Sequence, residues 1–307
     1  MRIGTVQAIL QATGSQRMGL VYGKALQPRA EQAGESLRSC KLCPHACKAD
    51  RLRDGQQVGE NLICTASHET LCFKRHISFS EEIDFLPSYM VYFAGCSFRC
   101  SFCAQGPKSW QAAGEQVVPL QYARIFEDEM ARGARTINLL GGEPSLHAHT
   151  ILAIAAELSQ PVPLILNTNM YMSPLAIELL RDVIWLYLGD FKFGNDACAR
   201  HIAGVSNYVD VVSRNLLAVD PGRLLVRHLL LPGHLECCFM PVARWMAANL
   251  RDVPFHLLTT YVPGPAQPNN DLSRLASRDE IATAQEFMAN MGLNTYEPGA
   301  FKRLSMS

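Results

Sequence analysis

Three cysteines, Cys96, Cys100 and Cys103, are spaced Cys-x3-Cys-x2-Cys directly after an apolar segment. Three thiolates on one short loop can bind three irons of a 4Fe–4S cluster. The fourth iron then has no protein ligand and can bind a small chelating molecule, which would make the site catalytic. A three-cysteine zinc site is the competing interpretation, but zinc sites usually have a fourth ligand close by in sequence. The spacing therefore favours an iron–sulfur cluster.

A second group of cysteines lies near the N-terminus, in a segment with many charges and little apolar periodicity: Cys40, Cys43, Cys47 and Cys64. Such a segment cannot bury enough apolar surface to fold alone, so four thiolates there usually bind a metal. Two interpretations stay open, an auxiliary 4Fe–4S cluster and a structural zinc site. We favour the cluster, because the chain already depends on cluster assembly. Cys72 is a reserve ligand, whereas Cys198, Cys237 and Cys238 are expected to be packed thiols.

The composition of the 307 residues is ordinary for a soluble globular protein, with 48% apolar and 18% charged residues. The net charge is zero, which gives no sign of the basic excess that nucleic-acid binding needs. The N-terminus lacks the pattern of a signal peptide, and no apolar run approaches the roughly 20 residues that cross a bilayer. Eleven cysteines without a secretory signal indicate metal or redox chemistry in a reducing compartment, which we expect to be the cytoplasm.

The elements that must position the cysteines begin near residue 89, where short apolar runs alternate with amphipathic segments. Six strands are predicted, at Tyr89–Ala94, Thr136–Leu140, Val162–Leu166, Trp185–Phe191, Leu224–Leu231 and Phe255–Thr260. Helices are predicted at Leu120–Arg132, Thr150–Leu158, Pro174–Arg181, Tyr208–Ala218, Pro241–Asn249 and Arg278–Met291. Six βα units predict an α/β fold, a partial (β/α)6 TIM-like barrel over residues 89–307. Residues 1–88 are predicted to form a small cysteine-rich N-terminal extension.

Each sharp motif falls in or after one of these predicted strands. In barrels of this kind the active site forms from the loops at the carboxyl ends of the strands. After the cysteine loop, the strand-end motifs are, in order, Gly141-Gly142-Glu143-Pro144, Asn167-Thr168-Asn169, Asp190-Phe191-Lys192, Arg227-His228 and Thr260-Tyr261-Val262-Pro263. The fold is therefore expected to gather these groups around one mouth.

From about Met90 to Tyr261 the chain resembles the radical S-adenosylmethionine (SAM) superfamily, and within it the glycyl-radical-enzyme activating enzymes. It is most similar to the pyruvate formate-lyase-activating-enzyme-like iron–sulfur proteins. Those proteins also carry an N-terminal Cys-x2-Cys-Pro-x2-Cys segment, here Cys40 to Cys47. The other similar strings are Gly141-Gly142-Glu143-Pro144, Asp190-Phe191-Lys192, Gly204-Val205-Ser206-Asn207 and Arg227-His228-Leu-Leu-Leu-Pro232-Gly233.

The resemblance implies a role for each strand-end residue. The 4Fe–4S cluster on the cysteine loop would hold SAM at its open iron, and Phe102 would shield the cluster or lie near the adenine. Gly141 and Gly142 would let the backbone approach the methionine part of SAM. Glu143 would accept hydrogen bonds from its amino group. The remaining implied contacts to the cofactor, its carboxylate or a bound cation are Asn167, Asn169, Asp190, Lys192 and Arg227.

Structural alternatives stay open for three of these motifs. The glycine pair can be a simple turn. Asp190 and Lys192 can form a structural ion pair inside the barrel, and Arg227 can form a strand-end salt bridge. Their shared position at the strand ends favours a functional interpretation.

The implied activity is reductive cleavage of SAM to a 5′-deoxyadenosyl radical, which abstracts hydrogen from a substrate. The implied partners are an electron donor such as flavodoxin or ferredoxin and a glycyl radical enzyme. His76, Glu81 and Glu82 are weak substrate-side candidates, because relatives have a similar stretch there; otherwise they are solvated surface residues.

Two departures from the activating enzymes favour a different substrate. Asn167 stands where many of them have an aspartate close to a cation site, and Val262 stands where they have a histidine. Modification of a small metabolite or peptide is therefore a second hypothesis. A non-catalytic iron–sulfur electron carrier is a third, from a different class of protein.

Overall fold

A computed structural model describes residues 19–53, 64–80, 82–263 and 271–296. The strands of these residues are β1 (Leu71–Ser78), β2 (Ser88–Phe93), β3 (Glu115–Gln116), β4 (Thr136–Gly141), β5 (Leu164–Thr168), β6 (Leu186–Asp190), β7 (Leu224–Leu229) and β8 (Phe255–Leu258). They form one sheet in the order β3-β1-β2-β4-β5-β6-β7-β8. Strand β2 is buried along its whole length, which fits its apolar sequence.

Strands β2 and β4 to β8 run parallel to one another, whereas β1 is antiparallel to both β2 and β3. Within the described residues the sheet is open, with β3 and β8 at its edges. An open parallel sheet with helices between its strands is the partial TIM-like barrel that the sequence predicts.

Helices connect the parallel strands and cover them. The α-helices of the described residues are α1 (Gln27–Glu35), α2 (Pro119–Ala131), α3 (Ala148–Glu157), α4 (Pro174–Leu180), α5 (Asp196–Ala203), α6 (Tyr208–Ala218), α7 (Met240–Asn249) and α8 (Arg278–Met291). A π-helical turn, Leu235–Phe239, leads directly into α7. Helix α2 illustrates the local logic: Pro119 starts it without needing a backbone donor, and Tyr122, Phe126 and Met130 are buried at helical spacing.

The six predicted parallel strands and the six predicted helices are confirmed, with ends that shift by at most two residues. Strands β1 and β3 and helices α1 and α5 were not among the sequence predictions. Strand β1 carries Lys74, Arg75 and His76 in succession, so its apolar alternation is broken. Helix α5 has eight residues, too few to show a clear period.

The hydrophobic core is continuous from the N-terminal segment into the barrel, and it includes Leu26, Leu37 and Leu42. Helix α1 packs against α3, and β1 pairs with β2 from Cys72 to Ser78. A domain boundary near residue 88 remains a prediction. In the described part of the chain, no helix is both long and apolar enough to span a membrane.

Candidate active site at the carboxyl edge of the sheet

The loop that carries Cys96, Cys100 and Cys103, here called the cluster loop (residues 96–103), follows strand β2 and is held by backbone hydrogen bonds to other elements. Arg99 N–H donates to the carbonyl of Ala203 (3.0 Å), and Ser101 N–H donates to that of Ile202 (2.9 Å), both at the end of α5. The loop conformation is therefore set by its neighbours as well as by its own sequence.

The three thiols on this loop match the ligands that a 4Fe–4S cluster with one open iron needs. Cys96, Cys100 and Cys103 are free thiols, each partly exposed. Burial raises the pKa of Cys100 to about 12, and the nearby Lys192 charge offsets this only in part. Burial likewise raises the pKa of Cys96 well above its usual value, with the Cys100 thiolate adding to the effect. Thiols with raised pKa values stay protonated at neutral pH in the absence of metal. A bound metal displaces these protons, because its positive charge stabilises the thiolates.

The glycine motif after strand β4 packs directly on the backbone that flanks the cluster loop on both sides. A Cβ atom on Gly142 would collide with the carbonyl oxygen of Gly95 and lie 2.7 Å from that of Ser109. Gly141 has a φ of +115°, in the region that favours glycine. These two glycines are therefore required by a close backbone approach, which goes beyond a simple turn.

Glu143 is buried behind this glycine pair and binds the neighbouring strand end. Its Oε1 accepts hydrogen bonds from Thr168 Oγ1 (2.7 Å) and Ser145 N–H (3.1 Å), and its Oε2 accepts one from Asn169 N–H (2.8 Å). Burial raises the pKa of Glu143, although these hydrogen bonds oppose the shift. A carboxylate can accept about four hydrogen bonds, so one further donor, such as an amino group, can still be accommodated.

Asn169 and Phe102 also lie at this edge. The Asn169 side chain donates to Ser97 Oγ (3.2 Å), which links the end of β5 to the cluster loop. Phe102 packs edge-on against Phe193 and Tyr261, at 6.4 Å between ring centroids in each case. Asn169 therefore lies next to the cluster loop, and Phe102, which belongs to the loop, packs on the neighbouring aromatic side chains.

A network of charged side chains joins strands β6 and β7. Lys192 Nζ lies 2.6 Å from Asp190 Oδ2, and Arg227 donates to Asp190 Oδ1 (2.9 Å). Burial opposes ionisation of Asp190, but the charges of Arg227 and Lys192 lower its pKa. Burial also disfavours the charged form of Lys192, yet the Asp190 charge raises its pKa. Arg227 donates in addition to Asn167 Oδ1. The ion-pair alternatives for Asp190, Lys192 and Arg227 are therefore present in the structure.

Glu82 belongs to the same network, so its default interpretation as a solvated surface residue is wrong. It is 5% exposed, lies 3.4 Å from Arg227 Nη1 and 3.2 Å from His256 Nδ1. The sequence gives little sign that Glu82 is buried, because it follows Glu81 in a polar stretch. His76 is half-buried on β1 and stacks on Tyr92 with ring centroids 5.6 Å apart. Glu81 lies outside the described residues.

The N-terminal cysteines lie beside the cluster loop. Cys43 and Cys64 are buried together with Ala66 and Leu146. Burial raises the pKa of Cys43 to about 12, and negative charge on the other three cysteines of the group adds to the effect. His45 Nε2 bonds to the carbonyl of Ser97 (2.9 Å), which connects this segment to the cluster loop.

Arg51 places a buried positive charge next to these cysteines. It is 3% exposed, donates to the carbonyl of Leu146 (2.7 Å) and lies 3.8 Å from Cys40 Sγ. Its Nε is buried without a hydrogen-bond partner among the described residues. A buried guanidinium normally needs an anionic partner. A metal site with four thiolates carries net negative charge and fits this environment.

The structure also gathers four residues that the sequence analysis did not connect. Cys198, Cys237 and Cys238, expected to be packed thiols, converge on the imidazole of His234. The string His234-Leu-Glu-Cys237-Cys238 is the sequence signal that could have indicated this.

Comparison with known proteins gives one family match. Residues 90–246, about half of the chain, match the family described as the Radical SAM superfamily. An uncharacterized protein of Methanocaldococcus jannaschii is 29% identical over 277 residues, which cover 88% of this chain and 80% of the relative. The pyruvate formate-lyase 1-activating enzyme of Escherichia coli is 25% identical over 153 residues, 47% of this chain and 61% of the enzyme.

Solved structures share the fold. Streptococcus suis SuiB bound to S-adenosylmethionine matches with a TM-score of 0.50 and 13% sequence identity. The match covers 66% of this chain and 47% of SuiB, so the chain spans about half the length of that protein.

Proposed function

The chain belongs to the radical SAM superfamily, and from this we propose that it cleaves SAM reductively and abstracts a hydrogen atom from a substrate. It is an enzyme of the radical SAM class, whose members use a 4Fe–4S cluster and SAM. When bound, that pair of cofactors supplies one-electron cleavage of the sulfonium and a 5′-deoxyadenosyl radical that takes the hydrogen. The residues of this chain would bind and orient these cofactors and shield the reaction from water.

The single observation that carries the proposal is the convergence of the strand-end groups on one loop. Cys96, Cys100 and Cys103 would bind three irons. The close approach of Gly142 to the backbone that flanks the cluster loop and the buried carboxylate of Glu143 support a pocket for the amino acid part of SAM. Such groups are already fixed by neighbouring elements, so little reorganisation is needed when SAM binds.

The network on β6 and β7 would position the rest of the cofactor. Lys192 donates to Asp190 and lies close enough to Cys100 to lower its pKa against the effect of burial. We assign Lys192 and Arg227 to binding carboxylate or ribose oxygens, with Asp190 holding both cations in place. Asn167 would orient Arg227 by accepting its hydrogen bond. Phe102 and Asn169 would line the pocket on the cluster side.

A cysteine substitution on the cluster loop tests the reaction. Cys100→Ala removes one of three iron ligands, and we expect no 5′-deoxyadenosine above background when the reconstituted protein is incubated anaerobically with SAM and dithionite. The product is measured by liquid chromatography with mass spectrometry. Ser101→Ala, an exposed position on the same loop, is the matched control and should retain the wild-type yield. A wild-type yield from Cys100→Ala would overturn the assignment.

For the substrate, the first proposal is a glycine residue of a partner protein, which would become a glycyl radical enzyme. The support is the sequence similarity to the pyruvate formate-lyase 1-activating enzyme, which covers 61% of that enzyme. Anaerobic incubation with candidate glycyl radical enzymes should give a glycine-centred doublet by electron paramagnetic resonance. Candidates that show 5′-deoxyadenosine formation but no doublet would count against this substrate.

A small metabolite or a peptide is the second proposal, and the Asn167–Arg227 contact favours it. Many of the similar activating enzymes have an aspartate at this position near a cation site, whereas here the guanidinium of Arg227 donates to Asn167 Oδ1. A positive charge at this point disfavours binding of a second cation. Untargeted mass spectrometry of anaerobic lysate fractions should then reveal a compound that is consumed with wild-type protein and unchanged with Cys100→Ala.

We assign the N-terminal extension, residues 1–88, to an auxiliary 4Fe–4S cluster on Cys40, Cys43, Cys47 and Cys64. The buried charge of Arg51 supports an anionic metal site there. Electrostatic interactions couple Cys43 to Cys40, Cys47 and Cys64, which supports one shared site. We favour iron over zinc there because the chain already depends on assembly of a 4Fe–4S cluster. An electron donor such as flavodoxin or ferredoxin would reduce the protein.

A further inference from the structure

Four ligand atoms meet at a place separate in sequence from both predicted cluster sites. The Sγ atoms of Cys198, Cys237 and Cys238 and a ring nitrogen of His234 all lie within 4.8 Å of one another. We propose that these four residues bind one zinc ion. The proposal is independent of the radical chemistry, since none of the four belongs to the cluster loop or the strand-end network.

The distances agree with tetrahedral coordination of a single ion. Bonds of about 2.3 Å to sulfur and 2.0–2.1 Å to nitrogen place the sulfur atoms about 3.8 Å apart and the nitrogen about 3.5 Å from each sulfur. Cys237 Sγ lies 3.8 Å from Cys198 Sγ and 4.0 Å from Cys238 Sγ. His234 Nδ1 lies 3.3 Å from Cys237 Sγ and 3.7 Å from the other two sulfur atoms. The Cys198 and Cys238 sulfur atoms lie within 4.8 Å of each other, so the four ligand atoms are already placed near the vertices of one coordination tetrahedron.

This spacing separates the site from an iron–sulfur cluster and from a disulfide. Thiolates on different irons of a cubane lie farther apart than thiolates on one ion, because the iron atoms separate them. The Cys198 and Cys237 sulfur atoms, at 3.8 Å, are well beyond the roughly 2.05 Å of a disulfide. Three cysteine thiolates and one histidine imidazole are a ligand set of structural zinc sites. Soft thiolate ligands favour zinc over hard ions such as magnesium and calcium.

The backbone around the site explains how adjacent cysteines can both reach the ion. On an α-helix, neighbouring side chains do not face each other. Cys237 and Cys238 lie in the π-helical turn Leu235–Phe239, where Phe239 N–H donates to the carbonyl of His234 (3.1 Å). Such a wide turn is common at functional sites. It brings both sulfur atoms close to the same imidazole.

The second side of the site comes from the loop between β6 and α5. A Cβ atom on Gly194 would lie 2.5 Å from the carbonyl oxygen of Cys238, so the two segments touch. The Asn195 amide donates to the carbonyl of Cys237 (2.7 Å) and to Cys198 Sγ (3.2 Å). A hydrogen bond to a metal-binding thiolate is a typical outer contact that orients the ligand.

The ion would act as a structural clamp. All four ligands come from the protein, so no position remains for a substrate, as in structural zinc sites. Helix α5 starts at this site and ends at Ile202 and Ala203, whose carbonyls bind the cluster loop. Zinc would therefore tie the turn before α7 to α5, and through α5 it would position the loop that carries the catalytic cysteines.

The metal content of the anaerobically purified protein tests the proposal. Inductively coupled plasma mass spectrometry should find about one zinc per chain in the Cys40→Ala/Cys43→Ala variant, which removes the N-terminal site as a competitor. X-ray absorption at the zinc edge of that variant should give a shell of three sulfur atoms and one nitrogen. Absence of zinc, a shell of four sulfur atoms, or iron in place of zinc would overturn the proposal.

A second measurement places the ion on these residues. In the Cys40→Ala/Cys43→Ala background, Cys198→Ser/Cys237→Ser should reduce the zinc content at least about tenfold and leave the iron and sulfide content of that background unchanged. Cys72→Ser is the matched control, because its buried thiol donates to the carbonyl of Lys74 and belongs to no ligand group among the described residues. Zinc retained in the combined variant would also overturn the proposal. If that variant does not fold, the absorption spectrum of the Cys40→Ala/Cys43→Ala variant decides alone.

Discussion

At the scale of single residues, Glu82 is a carboxylate that the barrel keeps ionised despite its burial. Burial opposes its charge, but the nearby Arg227 charge and the hydrogen bond with His256 lower its pKa to about 2, from an ordinary value of 4.5. A group with a lowered folded-state pKa stabilises the fold above its unfolded pKa and loses that effect as the pH falls towards the folded value. Glu82 therefore contributes fully at neutral pH and progressively less between about pH 5 and pH 2.

Glu82→Gln removes this charge while keeping the shape of the side chain. We expect the free energy of unfolding to fall by about 2–3 kcal/mol at pH 7, because the buried charge of Arg227 then loses the compensating charge of Glu82 while its ion pair with Asp190 remains. The deficit relative to the wild type should shrink as the pH falls from about 5 to about 3. Thermal unfolding of both proteins across this range measures it.

The control for this prediction is Glu157→Gln. Glu157 pairs with Lys24 at 2.7 Å, but the Lys24 side chain is 74% exposed, so the pair is screened by solvent. Its removal should cost less than about 1 kcal/mol. Equal losses in the two variants at every pH would contradict a special role for the buried Glu82 charge.

Arg51 gives a second prediction at this scale, which depends on the auxiliary cluster. A nearby positive charge stabilises the more negative, reduced form of a cluster. In a protein with Cys96, Cys100 and Cys103 changed to Ala, Arg51→Met should therefore lower the reduction potential of the remaining cluster. A redox titration followed by electron paramagnetic resonance measures the potential.

Arg53→Met is the matched control for Arg51→Met. The Arg53 side chain is 71% exposed and pairs with Asp50 on the surface, so its loss should leave the potential nearly unchanged. A higher potential in Arg51→Met, or equal shifts in the two variants, would argue against an anionic cluster beside Arg51.

At the scale of elements, the cluster loop depends on the strand end that follows it in the sheet. Gly142→Ala would place a Cβ atom against the backbone of Gly95 and Ser109, which cannot yield as a flexible side chain would. We expect the variant to lose most of the iron bound at the cluster loop. Its yield of 5′-deoxyadenosine should fall at least about tenfold, because a small displacement of reacting groups lowers the rate strongly. Iron, sulfide and product are measured on the same sample.

Gly34→Ala provides the comparison for Gly142→Ala. Gly34 lies in α1 with no atom within 4 Å of an added Cβ, and alanine favours helix. It should match the wild type in both metal content and yield. A Gly142→Ala protein with full iron and full activity would show that the close backbone approach is not needed for cofactor binding.

The elements also show how far the sequence could predict this molecule. The parallel strands were predictable because each is a short apolar run with a motif at its carboxyl end, as in Tyr89–Ala94. Strand β1 was not, because pairing with β2 overrides its charged residues Lys74 and Arg75. The contact of Arg227 with Glu82 and the gathering of Cys198 with Cys237 join segments far apart in sequence, and only the folded chain reveals them.

At the scale of the whole molecule, the cluster loop is supported from two sides by segments rich in cysteine. On one side His45 binds the carbonyl of Ser97, next to the N-terminal cysteines. On the other side α5 binds the loop at Arg99 and Ser101 and begins at the four-ligand group. Two metal sites would thus brace a third, which explains how a loop of eight residues can hold a catalytic cluster steadily.

This arrangement predicts the metal content of three variants compared with the wild type. Wild-type protein should contain about eight irons, about eight sulfides and about one zinc. Changing Cys96, Cys100 and Cys103 to Ala should leave about four irons, about four sulfides and the zinc, and abolish 5′-deoxyadenosine formation. Cys40→Ala/Cys43→Ala should also leave about four irons and the zinc, and Cys198→Ser/Cys237→Ser should lose only the zinc.

The cluster-loop variant is the most informative of the three, because the iron that it retains has no ligands left on that loop. Iron and sulfide in equal amounts would place a cluster on the N-terminal cysteines. Two zinc ions and no iron would instead make those cysteines a structural zinc site, since four thiolates suit either metal. In that case all of the redox chemistry would reside in the barrel, and Arg51 would neutralise a zinc site whose charge does not change during catalysis.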